Sequence, residues 1–250
     1  MTRIICVGSG KGGVGKTTLV CNLSSALAKL NKNVIAIDGN TTTSNLGLHL
    51  GIPLYPTTLQ DVLKRKASLR QAIYRHPSGF RVIPADVSLT KLMLPKTNSL
   101  MNVFYSLNAD FVLIDSAAGL GQEALAAVEA SDELLTVVNP DLQSLTDALK
   151  LVKISRRLET KNIGAVVNRV RNEKHEFSIP EVEEFLGLKV IGYINEDRCV
   201  RAATASKQPV ITYRPKARAS RQFHAVARKL AGYKTYPETP LQRLFGWLRV

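Results

Sequence analysis

Gly10, Gly15, Lys16 and Thr17 stand at the spacing G-x-x-x-x-G-K-[ST], a set of residue types suited to gripping a polyphosphate. Glycine has no side chain and tolerates positive φ. Successive backbone N–H groups of Gly10, Lys11, Gly12, Gly13, Val14, Gly15, Lys16, Thr17 and Thr18 can therefore close around phosphate oxygens at a helix start, where the helix dipole favours an anion. Lys16 is long enough to reach the β- and γ-phosphates, and the Thr17 hydroxyl is a hard donor for Mg2+. Two acids are placed to assist. Asp38 and Asp115 each end a short apolar run, where ligands of open α/β sheets collect.

The elements that must position these residues follow from hydropathy patterning. Ile4-Ile5-Cys6-Val7 before the loop and the helical pattern from Leu19 to Leu30 after it give strand, glycine loop, helix. Apolar, β-branched runs predict further buried strands at Asn33 to Asp38, Phe80 to Ile83, Asp110 to Ser116, Glu133 to Val138, Asn162 to Val170 and Lys189 to Ile194. Helical spacing marks Leu59 to Leu63, Leu69 to Ile73, Leu142 to Leu158 and the basic amphipathic stretch Ala217 to Leu230. The alternation predicts an α/β fold of three layers, a central mostly parallel sheet flanked by helices, over residues 1–231. Residues 232–240, with two prolines, read as a linker to a terminal segment at 241–250.

Cys6, Cys21 and Cys199 are scattered with no C-x-x-C pair, so neither a zinc site, an iron–sulfur cluster nor disulfides are expected. The first strand begins almost at residue 1 and no apolar run is long enough for a membrane span, so a cytosolic setting is expected. The net charge of +14 is concentrated at one end: residues 201–250 hold eleven Lys or Arg against the single acid Glu238, a net +10. Such an end attracts anionic lipid or nucleic acid, and the sign alone does not choose.

Lys11 narrows the class. Lys11-Gly12-Gly13-Val14-Gly15-Lys16-Thr17 is a deviant Walker A motif, and with it the sequence resembles the MinD/ParA family of P-loop ATPases. The resemblance implies ATP/ADP and Mg2+ as cofactors, and an ATP-dependent homodimer in which Lys11 crosses to the partner's nucleotide. It also implies Thr17, Asp38 and Asp115 around the metal, and Asp147 near the dimer face, able to pair with the signature lysine. Asn168, Arg169 and Asn195 align with family residues around the adenine, and the absence of N-K-x-D leaves ATP rather than GTP as the implied nucleotide. One departure bears on activity. Asp38-Gly39-Asn40 aligns with a switch written D-x-D, so the acid beside the attacking water is Asn40 here. An amide orients a water through its carbonyl oxygen but cannot take its proton. Slow, partner-stimulated hydrolysis is the expectation, with an ATP-held scaffold of little turnover as the competing one.

At 100° per residue Leu241, Leu244, Phe245, Trp247 and Leu248 share one arc, opposite Gln242, Arg243, Gly246 and Arg249. This small basic-flanked helix resembles the membrane-targeting tail of MinD-type members. The implied partners are anionic lipid on the inner face of the cell membrane and an unidentified activator or cargo protein, in the spatial regulation of cell division or polar machinery. A ParA-like DNA-binding role comes second, because DNA binding needs no apolar stripe.

Overall fold

The computed structural model describes residues 2–52, 55–86 and 96–233. The strands are β1 (Arg3–Gly8), β2 (Val34–Asp38), β3 (Tyr74–Arg75), β4 (Arg81–Ile83), β5 (Phe111–Asp115), β6 (Glu133–Val138), β7 (Lys161–Val170) and β8 (Val190–Asn195). They form one sheet in the order β3-β4-β2-β5-β1-β6-β7-β8, parallel throughout except for β3. The helices are α1 (Lys16–Lys29), α2 (Leu46–His49), α3 (Leu59–Leu63), α4 (Thr97–Tyr105), α5 (Gln122–Glu129), α6 (Leu142–Arg157), α7 (Ile179–Leu186), α8 (Arg198–Ala205), α9 (Val210–Tyr213) and α10 (Arg218–Leu230).

Period-2 alternation explains the layers. In β1, Ile5 and Val7 pack with α1, α9 and α10 on one face, while Ile4 and Cys6 pack with α3, α4 and α5 on the other. Both faces are covered, so the central strands are apolar almost end to end, as burial on two sides requires. Each fully buried large side chain contributes roughly 1.5–3 kcal/mol. A third cluster sits where α6 and α7 cover β7. Because β2, β5 and β1 are neighbours, the ends of three strands bring Asp38, Asp115 and the glycine loop to one edge.

The expected strands are present with ends shifted by a residue or so, and Glu133–Val138 coincides. The Leu69 to Ile73 stretch differs: it is a single 3-10 turn, Leu69–Ala72, under a capping box from Ser68 and Gln71. β3, α4, α5, α7, α8 and α9 were not anticipated. The terminal segment with Leu241, Leu244, Phe245, Trp247 and Leu248 lies outside the described residues, as does most of the linker. Among the described residues no helix is long and apolar enough to cross a membrane.

Candidate functional site

The loop between β1 and α1 is shaped by two glycines that no other residue replaces without strain. Gly15 caps α1 with φ +101, and a Cβ there would lie 2.2 Å from Asn168 Nδ2. Gly10 lies so close to α6 that a Cβ would stand 2.1 Å from the Asp147 carbonyl carbon. Lys16 is 8% exposed and lies back along the loop, its Nζ donating to Ser9 Oγ at 2.9 Å, while Ser9 Oγ donates to the Lys11 carbonyl at 2.6 Å. Burial pushes the Lys16 ammonium below its usual pKa, and the charge of Asp115 works against that push.

Asp38 and Asp115 face each other in register across β2 and β5, both buried. Asp38 is heavily engaged: Oδ1 accepts from Asn40 N at 3.1 Å, and Oδ2 from Ser44 Oγ at 2.7 Å, Asn45 N at 3.1 Å and Leu46 N at 3.0 Å. The Thr17 hydroxyl lies near enough to Asp115 to favour its ionised form, yet Asp115 Oδ1 is buried with no hydrogen-bond partner. Burial raises both carboxyls, Asp38 to about 6 and Asp115 to about 7, the latter also through repulsion from Asp38. Two buried carboxylates of raised pKa, one with an unpaired oxygen beside a threonine hydroxyl, fit a divalent cation, which would satisfy that oxygen and offset the repulsion. Among the described residues no group of three or more His, Cys, Asp or Glu is placed to hold a metal by itself. A hard ion completed by phosphate oxygens and water needs no such group.

After Asp38 the chain folds into a polar loop. Asn40 Oδ1 accepts from Thr43 N at 3.0 Å, and Asn40 Nδ2 donates to Thr43 Oγ1 at 2.9 Å, an Asx-type turn that fixes its side chain. The signature lysine has partners other than Asp147 in the single chain. Lys11 Nζ meets Gln143 Oε1 at 3.2 Å and Asp141 Oδ1 at 3.5 Å, whereas Asp147 pairs with Lys150 at 3.0 Å. Asp141 and Gln143 lie at the start of α6, while Asp147 lies a turn further on, with its backbone against Gly10.

Two cavities of about 600 Å3 each meet at Gly15, Thr18, His49 and Arg169. One contains the loop, Lys16, Thr17 and Asn40; the other lies between the ends of β7 and β8 and helix α8. Asn168 Nδ2 donates to the Val14 carbonyl at 2.7 Å, so one amide hydrogen of this adenine-side candidate is already committed to the loop. Asn195 is more fully occupied. Its Nδ2 donates to the Val170 carbonyl at 3.0 Å and its Oδ1 accepts from Gln222 Nε2 at 2.6 Å, which makes it a brace between β7 and α10 as well as part of the cavity wall. Arg169, with φ +57, reaches Glu196 at 3.9 Å across the mouth.

Glu123, in the first turn of α5, went unanticipated. It is 7% exposed, lines the phosphate-side cavity and accepts from the backbone and hydroxyl of both Thr41 and Thr42. The available signal was an acid in the opening turn of a helix just past a small-residue loop, a favourable place on the helix dipole.

The chain is similar to known proteins over most of its length. A family described as CobQ/CobB/MinD/ParA nucleotide binding domain matches residues 5–210. An uncharacterized ATP-binding protein of Methanocaldococcus jannaschii is 42% identical over 236 residues, covering 94% of this chain and 89% of that protein. The cell division ATPase MinD of Pyrococcus furiosus superposes with a TM-score of 0.89 at 33% identity, over 93% of this chain and 99% of that one. The septum site-determining protein MinD of Pyrococcus horikoshii, complexed with Mg-ADP, does so with 0.88 at 33% identity, over 92% and 96%. With its three-layer P-loop fold and a match over most of its length, the chain belongs to the CobQ/CobB/MinD/ParA family of nucleotide-binding domains.

Proposed function

We propose that the protein is a MinD-type ATPase that binds ATP with Mg2+ and pairs with a second copy. As a pair it attaches reversibly to the inner face of the cytoplasmic membrane through residues 241–250, in the spatial regulation of division or polar machinery alongside an activator or cargo protein. Residues 1–231 are the catalytic domain and 232–240 the tether. The observation that carries the reading is the complete deviant loop, with Lys11 held at the start of α6 by two exchangeable contacts, its side chain 29% exposed, next to the exposed Leu142. A solvated pair of this kind is worth at most about 1 kcal/mol, so Lys11 exchanges it readily for a γ-phosphate on a facing copy.

In the site, the loop N–H groups and Lys16 hold the β- and γ-phosphates, and Asn168 fixes the loop from behind. Thr17 and Asp115 hold Mg2+, with Asp38 behind them; that ion supplies neutralisation of charge on the phosphate oxygens. Asn40 orients the attacking water through its carbonyl oxygen but takes no proton, so turnover is slow and rises with a partner. Phosphoryl transfer depends mainly on positioning and charge neutralisation, which is why an amide suffices. One tail is a marginal anchor, while two on a dimer gain about 10²–10⁴ in avidity. ATP thereby governs membrane residence.

Co-sedimentation with anionic vesicles tests this: pelleting that requires ATP and residues 241–250 is expected, and equal pelleting after deletion of that segment refutes it. A ParA-like DNA-binding role is supported by the basic run Arg214, Lys216, Arg218 and Arg221 at the start of α10. Salt-sensitive DNA retention without vesicle binding would favour it.

A further inference from the structure

Glu123 is built into the site more tightly than its place on a peripheral helix requires. Four donors from two consecutive loop residues converge on its carboxylate. Oε1 takes Thr41 N, Thr41 Oγ1 and, at 3.1 Å, Thr42 N; Oε2 takes Thr42 Oγ1 at 2.7 Å. An ionised carboxylate offers about four lone-pair sites, two per oxygen, and the four donors crowd three onto Oε1 and one onto Oε2. Thr41 is also held from the other side, where Gln60 Nε2 donates to its carbonyl at 3.2 Å while Gln60 Oε1 accepts from Asp86 N at 2.9 Å. Thr41 follows Asn40 directly, and Asn40 is itself tied to Thr43. The clamp therefore fixes the two residues that follow Asn40.

The clamp also has a second end. Glu123 lies eight residues after Asp115, and the intervening segment lines the phosphate-side cavity through Ser116, Ala117 and Ala118. Gly119 N donates to the Ser9 carbonyl at 3.2 Å, tying that segment to the loop. A displacement of the segment when a γ-phosphate arrives would move α5 and, through four hydrogen bonds, the Asn40 loop.

We propose that Glu123 is a positioning residue for hydrolysis: it clamps Thr41 and Thr42 so that Asn40, which lacks a carboxylate of its own, presents its carbonyl oxygen to the attacking water, and it couples that position to the segment after Asp115. The proposal rests on the ATPase reading. Glu123 touches neither phosphate nor water in this scheme and acts through the loop. A brace serving only stability would instead lower nucleotide binding and turnover together.

The test uses the full chain with Glu123→Ala, Glu123→Gln, Thr42→Val and the Glu123→Ala, Thr42→Val double variant. Amide hydrogen exchange of the parent should protect Thr41 and Thr42, and Glu123→Ala should lower that protection about ten-fold or more. Nucleotide affinity should stay within about two-fold while kcat falls by about 10²-fold, the scale for a misplaced reacting group. Glu123→Gln, which keeps one carbonyl acceptor, should fall between parent and Glu123→Ala. Thr42→Val should add little in the Glu123→Ala background, since both remove one clamp. Unchanged amide protection in Glu123→Ala, a loss of affinity parallel to kcat, or additive effects in the double variant would each overturn the proposal. A parent that binds ATP with no turnover under any partner refutes the hydrolysis reading instead, and the amide exchange still decides whether the clamp exists.

Discussion

Asp115→Asn gives the sharpest test of the buried carboxylate pair. In the folded, ligand-free protein the Asp115 carboxyl is raised from 3.8 to about 7, first by burial and then by Asp38 across the strand pair. At about 1.4 kcal/mol per pKa unit, a rise of this size corresponds to roughly 4 kcal/mol once both states are ionised, and relaxation of the site reduces it to about 2–4. The sign follows from proton counts. Between about pH 4 and 7 the folded state holds a proton that the unfolded state has released, so stability is highest below pH 4, falls as pH rises and levels off above 7. The amide introduced by Asp115→Asn carries no such charge, and the variant should converge on the parent near pH 4 but exceed it at pH 8 by about 5–15 °C in melting temperature. His76 and His224 titrate in the opposite sense, because burial lowers both and their neutral forms favour folding as pH rises. They are common to parent and variant, so the difference between the two melting curves isolates Asp115. The assay is thermal unfolding in chelator without nucleotide from pH 4 to 8, repeated with Mg-ADP. In the parent, stabilisation by Mg-ADP should grow with pH, since the cation requires the ionised carboxylate; in the variant it should be small and flat. A variant less stable than the parent at pH 8, or a parent-minus-variant difference independent of pH, refutes the reasoning.

Further outcomes follow from the same geometry. Gly10→Ala places a methyl 2.1 Å from the Asp147 carbonyl carbon, so α6 or the loop must shift; a loss of about 1–3 kcal/mol in denaturant unfolding and a larger loss of nucleotide binding in a fluorescent-analogue titration are expected. Asn40→Asp restores a proton acceptor beside the water, and phosphate release should rise by about 10²-fold with nucleotide affinity little changed.

Much of this was legible because it depends on local order along the chain. The β1 run, the glycine loop and the start of α1 form one contiguous signal, and strands buried on both faces declare themselves as apolar runs, so Glu133–Val138 could be placed to the residue. What could not be read depends on strand order. Only a sheet ordered β2-β5-β1 sets Asp38 and Asp115 in register and raises both carboxyls. The Thr41, Thr42 and Glu123 clamp spans about eighty residues of sequence, and no spacing rule reports it. Other elements left a trace that went unused. α7 opens with Ser178, Pro180 and Glu181, a capping box with an early proline, and that pattern alone predicts a helix start. β3, two residues long, carries no readable period.

On the reading proposed here, a γ-phosphate reached by Lys11 across a symmetric face pairs two copies of the chain. Sedimentation velocity of the full chain decides it, run with Mg-ADP and with Mg-ATP for the parent and for Lys11→Ala. A monomer with Mg-ADP, a dimer with Mg-ATP, and a Lys11→Ala protein that still binds nucleotide yet stays monomeric are expected. A parent that remains monomeric when saturated with ATP, or a Lys11→Ala protein that dimerises as the parent does, would show that the γ-phosphate does not join two chains through Lys11.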